Sequence, residues 1–134
     1  MTKVKICGIT NLEDALAACE AGADAIGFVF AEEGKRRNRY IHPGDAEDII
    51  EVLPPYMTTV AVCVNPTVEE TLGYLEFVDR VQLQGEEPPG FAMCGAGAII
   101  KGFRAGSDFD VSSMLAYDTA SYLLDAHVPG QHGG

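Results

Sequence analysis

Strand-length apolar segments alternate with helical patterns along the whole chain, and this alternation restricts the fold more than any other feature. A helical or turn-rich connection separates each predicted strand from the next, which is the pattern of parallel βαβ units with right-handed crossovers. The sequence therefore predicts an α/β fold with six parallel strands and five intervening helices, in one domain over residues 1–134. The predicted strands cover residues 4–7, 25–30, 58–64, 78–83, 98–103 and 120–124.

The first three connections carry recognisable helix signals. Thr10 and Glu13 have the Thr-x-x-Glu spacing of a capping box, and Thr67 and Glu70 repeat that spacing before the third helix. Pro43 suits the first turn of the second helix, because that position needs no backbone donor. Each of these segments then continues with apolar residues at helical spacing, which predicts three amphipathic helices.

The last two connections carry weaker helix signals. Residues 86–97 contain two prolines and several glycines, which predicts a short or irregular helix. Ser107 or Asp108 can cap a further helix after the fifth strand. The tail at 128–134 is predicted to be turn material.

Two ways of closing a parallel sheet of this kind remain open at this point. One is a doubly wound open sheet, and the other is part of a (β/α) barrel. The chain has neither a Gly-x-Gly-x-x-Gly motif nor a Walker motif to mark a nucleotide-binding open sheet. The strand and helix pattern alone leaves both architectures possible.

Composition excludes several classes of partner. The net charge of −11 predicts no nucleic-acid partner and no anionic membrane, since both favour a basic surface. No apolar run reaches the roughly 20 residues that span a bilayer, and the N-terminal segment lacks the apolar region of a signal peptide. The four widely spaced cysteines include no Cys-x-x-Cys pair, which predicts reduced thiols and no metal site. We expect a cytoplasmic protein.

Basic residues are concentrated in one short segment of this acidic chain. Lys35, Arg36, Arg37 and Arg39 supply four of its nine lysines and arginines. Such a concentration indicates either a confined anion site or a solvated basic loop. The cluster by itself does not decide between these two interpretations.

Two residues at predicted strand ends can transfer protons. Val4 and Ile6 alternate with Lys5 and Cys7, so the thiol ends the first strand on the same face as the lysine. A nearby positive charge favours the thiolate form of a cysteine. Asp125 ends the sixth strand. Taken alone, a single cysteine is more often a small buried side chain, and an aspartate at a strand end is more often a turn residue.

Several longer stretches together resemble one known family, the phosphoribosylanthranilate isomerases of tryptophan biosynthesis. The resemblance extends over essentially the whole chain, and KICGIT followed by GADAIGFVF is its most specific part. The stretches are KICGITNLEDA at 5–15, EAGADAIGFVF at 20–30, RYIHP at 39–43, VAVCVN at 60–65, VQLQGEE at 81–87 and LLDAHVPG at 123–130.

The resemblance implies a (β/α)8 TIM barrel and an Amadori rearrangement without a cofactor. N-(5-phosphoribosyl)anthranilate would become 1-(2-carboxyphenylamino)-1-deoxyribulose 5-phosphate, a reaction that needs one general acid and one general base. By match to the family motifs, Cys7 is the base and Asp125 is the acid. Arg39 is expected to hold the anthranilate carboxylate, because a planar guanidinium binds that group with two hydrogen bonds. Lys5 and Gln84 are the further expected substrate contacts.

Two departures from the family leave alternatives open. Gln84 stands where the family usually has histidine, so a charge or proton role is lost at that position. The last two βα units of the barrel, with the loops that bind phosphate, are expected to be absent from these 134 residues. The second interpretation is therefore a non-catalytic or assembly-dependent fragment, which self-associates or pairs with another chain through exposed sheet edges. A related phosphosugar isomerase of histidine biosynthesis is a third, disfavoured because such enzymes typically have aspartate at the position of Cys7.

Overall fold

The computed structural model describes residues 1–126, with the backbone alone at 92–94, and its centre is a single parallel sheet. The six strands lie in chain order across this sheet, each paired in parallel with its neighbours, so the predicted six-stranded parallel sheet is confirmed. The turn predicted at 128–134 lies outside the described residues. The strands are β1 Lys5–Cys7, β2 Ala25–Val29, β3 Thr58–Cys63, β4 Arg80–Leu83, β5 Ile99–Ala105 and β6 Ser121–Ala126.

Three α-helices connect the first four strands. They are α1 Leu12–Glu20, α2 Pro43–Glu51 and α3 Val68–Tyr74. Pro43 lies in the first turn of α2, as predicted. Thr67 and Glu70 form the predicted capping box of α3, with the threonine hydroxyl accepting from the Glu70 amide and the Glu70 carboxylate accepting from the Thr67 amide. None of the helices in residues 1–126 is long and apolar enough to cross a membrane.

The capping box predicted for the first helix is wrong by one residue. Asn11, and not Thr10, caps α1, and its side-chain oxygen accepts a hydrogen bond from the Asp14 amide at 2.8 Å. The Asn11 amide group also donates to the Asp14 carboxylate at 2.7 Å. Asparagine is among the best N-cap residues and here bonds Asp14 twice, which explains why the helix begins one residue later than the Thr10 and Glu13 spacing predicted.

The connections after β4 and β5 are 3₁₀ helices and not α-helices. Pro89–Ala98 follows β4, where Pro88 and Pro89 lack amide donors and the glycines disfavour a regular helix. Val111–Ala116 follows β5 and is capped by Asp110, not by the predicted Ser107 or Asp108. The Asp110 carboxylate accepts from both the amide and the hydroxyl of Ser112, which favours a tight turn over a continuing α-helix. A further 3₁₀ helix, Glu32–Arg37, occupies the basic segment after β2.

The sheet is curled, and its two faces differ in what covers them. The helix-bearing convex face carries a buried apolar core, in which Ile26, Phe28, Val81 and Leu83 of the strands are almost inaccessible. On the other face Lys5 Nζ of β1 lies 2.5 Å from Gln82 Oε1 of β4. Strands three places apart in a flat sheet would be about 14 Å apart. The contact across them therefore shows the concave interior of a half-barrel.

Apolar side chains remain exposed at both edges of the half-barrel. At the β1 edge, Val4 and Ile6 are 48% and 42% exposed. At the β6 edge, Tyr122 and Leu124 are 42% and 57% exposed. Edge strands of this kind present unpaired backbone groups together with apolar surface, which is a template for pairing with further chain.

Candidate active site

The side chains singled out from the sequence collect at the carboxyl ends of the strands. Cys7 is the last residue of β1, Gln84 directly follows β4, and Asp125 is the penultimate residue of β6. Arg39 lies in the connection after β2. Barrel enzymes build their active sites at this end of the sheet, from the loops that follow the strands.

Strand register places the thiol and the carboxylate on the same face. Cys7 pairs with Gly27 of β2, and Asp125 pairs with Arg104 of β5. Paired residues of neighbouring parallel strands point to the same side, and every second residue of a strand shares a side. Followed strand by strand, this register puts Lys5, Cys7 and Asp125 on the concave face.

Lys5 interacts with both Gln82 and the Cys7 thiol on the concave face. Its amine donates to Gln82 on β4, across the interior, and interacts electrostatically with Cys7 on the same face of β1. Burial lowers the pKa of the Lys5 amine below its usual value, while the negative charge of a Cys7 thiolate acts in the opposite direction. Burial is the larger of these effects on the Lys5 amine.

Cys7 is an accessible thiol that packs against a glycine. A Cβ atom at Gly27 would lie 2.9 Å from Cys7 Sγ, so only glycine leaves the sulfur its present position. Cys63 of β3 is the contrasting case, because it is buried on the convex face. Burial, and secondarily the nearby carboxylates of Glu70 and Glu87, raise the pKa of the Cys63 thiol to about 12. Of these two thiols, Cys7 is the one suited to proton transfer.

Arg39 is the member of the basic cluster that reaches the end of β1. A Cβ atom at Gly8 would lie 3.1 Å from both Cγ and Cδ of Arg39, so the arginine crosses the backbone directly after Cys7. Gly8 has a φ of +89°, a conformation that favours glycine for a second reason. Lys35 is instead engaged with Glu32 at 2.5 Å and lies over the Tyr40 ring. Arg36 and Arg37 lie within the exposed 3₁₀ helix.

Gln84 borders a cleft at the ends of β4 and β5. Its side-chain amide lies over Gly102, where a Cβ atom would come within 2.5 Å of Gln84 Oε1. The cleft has a volume of about 220 Å³, and Arg104, Phe109 and Tyr117 also line it. A guanidinium group, an amide and two aromatic rings thus face one opening.

The structure brings some of the predicted residues together and separates others. Lys5 and Cys7 are in contact, and Arg39 lies beside them across Gly8. Asp125 is on the same face and at the same end, but β6 is the opposite edge of the sheet from β1. The Asp125 carboxyl group and the Cys7 thiol therefore face each other only across the interior of the curled sheet.

Three residues at this end escaped the sequence analysis. Gln82 holds Lys5 from across the interior. Lys101 and Glu87 form a buried ion pair beside the end of β4. A lysine within the apolar run IIKGF was a signal for this pair, because a charged residue inside a buried strand normally requires a partner.

A half-barrel of parallel strands with a thiol, a carboxyl group and an arginine at the carboxyl ends of its strands defines a protein of the α/β-barrel class. Residues 4–134 match the family model described as N-(5'-phosphoribosyl)anthranilate (PRA) isomerase. The chain belongs to this family.

Individual relatives agree with that assignment. The chain is 45% identical over 140 residues to the N-(5'-phosphoribosyl)anthranilate isomerase of Citrifermentans bemidjiense, covering all of this chain and 65% of the relative. It is 45% identical over 137 residues to that of Geobacter metallireducens, covering all of this chain and 66% of the relative. The chain thus spans just under two thirds of the length of these curated relatives.

Solved structures of the family have the same fold. The phosphoribosylanthranilate isomerase of Thermotoga maritima superposes with a TM-score of 0.89 at 42% identity, covering all of this chain and 66% of that one. A second, in complex with reduced 1-(o-carboxyphenylamino)-1-deoxyribulose 5-phosphate, gives 0.85 at 43% identity, covering 95% of this chain and 66% of that one. These neighbours confirm the TIM-barrel-type fold and resolve the choice between an open sheet and a barrel.

The contact between Lys5 and Cys7 predicts a difference in thiol reactivity. Lys5→Met should slow alkylation of Cys7 by iodoacetamide at pH 7 about fivefold, because the attraction between a lysine and a neighbouring thiolate is worth about 1 kcal/mol in water. Peptide mass spectrometry of the 134-residue chain measures the rate at each cysteine. Lys3→Met is the matched control, since Lys3 pairs with Asp24 and should leave the rate unchanged. Equal rates in the parent and in Lys5→Met would mean that the lysine does not support the thiolate.

Proposed function

We propose that these residues supply the acid–base half of a phosphoribosylanthranilate isomerase active site. The substrate is N-(5-phosphoribosyl)anthranilate and the product is 1-(2-carboxyphenylamino)-1-deoxyribulose 5-phosphate. One observation carries the proposal in a chain of this family. The thiol of Cys7, the guanidinium of Arg39 and the carboxyl of Asp125 all lie at the carboxyl ends of the strands, with Cys7 and Asp125 on one concave face.

Asp125 is the proposed general acid. In its protonated form it gives a proton to the ribose ring oxygen as the bond from that oxygen to C1 breaks, which leaves an iminium between C1 and the anthranilate nitrogen. The Asp125 side chain is half-buried, on the concave face of the sheet. The carboxylate that remains helps to balance the positive charge of the iminium.

Cys7 is the proposed general base. Its thiolate removes the proton from C2 of the iminium, and the electrons of the C2–H bond neutralise the nitrogen cation. The resulting enaminol then tautomerises to the amino-ketone product. The Lys5 amine is the proposed charge partner of that thiolate. The two proton transfers need no cofactor.

A chimaera tests the proposed function directly. It consists of residues 1–126 of this chain followed by the remaining C-terminal part of the Thermotoga maritima isomerase, whose matching part has the same fold. We expect the chimaera to convert phosphoribosylanthranilate with a kcat in the ordinary enzyme range of about 1 to 1000 per second. A folded, monodisperse chimaera without turnover would contradict the proposal.

Arg39 is proposed to hold the anthranilate carboxylate. In the chimaera, Arg39→Ala should raise KM about 10- to 100-fold with little change in kcat, because a charged hydrogen-bonding contact worth about 1.5 to 3 kcal/mol acts on ground and transition states alike. Arg36→Ala and Arg37→Ala are the matched controls and should leave KM unchanged. Larger losses in these controls than in Arg39→Ala would show that a different arginine binds the carboxylate.

A fragment completed by further chain remains the second candidate, favoured by the exposed apolar residues at both sheet edges. Alone, the 134-residue polypeptide should self-associate in light scattering and fall at least about 100-fold below the chimaera in kcat/KM, a loss typical of removing one preorganised anion contact. Adding a peptide with the C-terminal βα units of the Thermotoga maritima isomerase should restore part of the activity. A monodisperse, fully active 134-residue monomer would contradict this expectation. One solved neighbour is described as a dimeric isomerase.

We also propose a cytoplasmic location. The substrate is a phosphorylated sugar, a class of metabolite made inside cells. The proposed base is a cysteine that must stay reduced, which the cytoplasm ensures.

A further inference from the structure

A buried ion pair lies beside the candidate site and takes no part in the proposed proton transfers. Lys101 Nζ of β5 is 2.7 Å from Glu87 Oε2, and the two side chains are only 3% and 2% exposed. Among the ion pairs within residues 1–126, this is the only one with both partners buried. Removing two charges from water costs several kcal/mol per ion, so a stable pair needs further hydrogen bonds.

Most of those further bonds involve Gly85, the residue that follows Gln84. Glu87 Oε1 accepts from the amides of Asn65 at 2.9 Å and Gly85 at 3.1 Å. Lys101 Nζ donates to the Gly85 carbonyl at 2.7 Å. The pair thus holds Gly85 by both its amide and its carbonyl, and ties it to the segment after β3.

Additional contacts leave this segment little freedom. The Asn65 side-chain oxygen accepts from the Glu86 amide at 2.7 Å, and the Tyr117 hydroxyl donates to the Glu87 carbonyl at 2.8 Å. A Cβ atom at Gly85 would lie 2.8 Å from the Asn65 amide nitrogen, so the two backbones are in close contact. Segments after three strands are therefore joined by one hydrogen-bonded network around the buried ion pair.

Gln84 is held between this network and the sheet. Its backbone amide donates to the Cys63 carbonyl at 2.9 Å, and its side chain lies over Gly102. The next residue, Gly85, is held by the ion pair. We propose that Glu87 and Lys101 are positioning residues of the isomerase. By fixing Gly85, they orient the side-chain amide of Gln84 toward the substrate. The inference rests on the proposed function and adds two residues to it.

A charged pair suits this task because its net charge is zero. It holds the backbone firmly without adding a net charge to a site in which Lys5, Arg39 and Asp125 do the electrostatic work. Loss of one partner leaves an uncompensated buried charge, whereas loss of both charges does not. Glu87→Gln combined with Lys101→Met keeps an oxygen for the two amide donors and should preserve the position of Gln84.

A double-mutant cycle in the chimaera tests whether Glu87 acts through Gln84. Glu87→Ala should lower kcat/KM by up to about 100-fold, as expected when a reacting group is displaced by about 1 Å. Gln84→Ala alone should also lower kcat/KM. Adding Glu87→Ala to Gln84→Ala should lower kcat/KM by less than about threefold further. The doubly neutral variant should regain activity to within about fivefold of the parent. Glu69→Ala, on the exposed face of α3, is the control and should change nothing.

Several results would overturn the inference. One is that Glu87→Ala lowers kcat/KM equally in the parent and in Gln84→Ala. Another is that Gln84→Ala has no effect on kcat/KM. A third is that Glu87→Ala lowers the unfolding temperature but leaves kcat/KM unchanged. Hydrogen exchange on the 134-residue chain gives a second measurement, in which the Gly85 and Asn65 amides should be protected in the doubly neutral variant and exposed in Lys101→Met. An inactive but folded parent chimaera would contradict the proposed function, whereas an active parent with an additive cycle would contradict only this inference.

Discussion

Replacing Cys7 by alanine in the chimaera should lower kcat by about 10²- to 10⁴-fold, the usual contribution of a general base. The alanine removes the proposed base, and no other thiol described on the concave face can replace it. KM should stay within about tenfold of the parent value, because the proposed substrate contacts are Arg39 and the C-terminal loops and not the thiol.

The structure makes Cys7→Ala an unusually clean substitution. Cys7 Sγ packs against Gly27, and the methyl group of alanine is smaller than the group it replaces. Cys19→Ala on α1 is the matched control and should keep the parent kcat. A Cys7→Ala variant with near-parent kcat would remove the thiol from the mechanism, whatever the activity of the control.

Asp125→Asn in the chimaera should lower kcat by a similar factor, about 10²- to 10⁴-fold. The amide has nearly the shape of the carboxyl group but cannot give a proton to the ribose oxygen. The loss should therefore appear in kcat with substrate binding nearly intact, which steady-state kinetics measures as a small change in KM.

The Asp125 prediction has a matched control. Asp125 pairs in register with Arg104 of β5, which is exposed and borders the cleft. Asp118→Asn, an exposed aspartate just before β6, is the control. Unchanged kcat in Asp125→Asn would assign the acid to another group.

The strands and the family were predictable because they depend on local patterns. Buried parallel strands give continuous apolar runs such as 25–30, and short motifs such as KICGIT extend over few residues. Helix details were less predictable where two caps compete, as at Thr10 and Asn11, or where side-chain bonds favour a 3₁₀ turn, as at Asp110. Local spacing does not show which of two adjacent polar residues caps the helix.

The contacts that shape the site depend on distant parts of the chain, and the sequence pattern could not give them. Lys5 meets Gln82, 77 residues away, only because the sheet curls. Lys101 and Glu87 meet through a segment that was expected to be irregular. The glycines that accommodate Cys7, Arg39 and Gln84 lie on neighbouring strands or turns, so their purpose becomes clear only from strand register and close contact.

The central claim is that Cys7 and Asp125, on opposite edges of this half-barrel, face one substrate when the barrel is complete. A crystal structure of the chimaera with reduced 1-(o-carboxyphenylamino)-1-deoxyribulose 5-phosphate tests it most directly. We predict Cys7 Sγ close to C2 of the ligand, and an Asp125 oxygen within about 3.2 Å, hydrogen-bond reach, of the hydroxyl oxygen that comes from the ribose ring. A structure in which either side chain points away from the bound ligand, with the ligand in the barrel interior, would contradict the account.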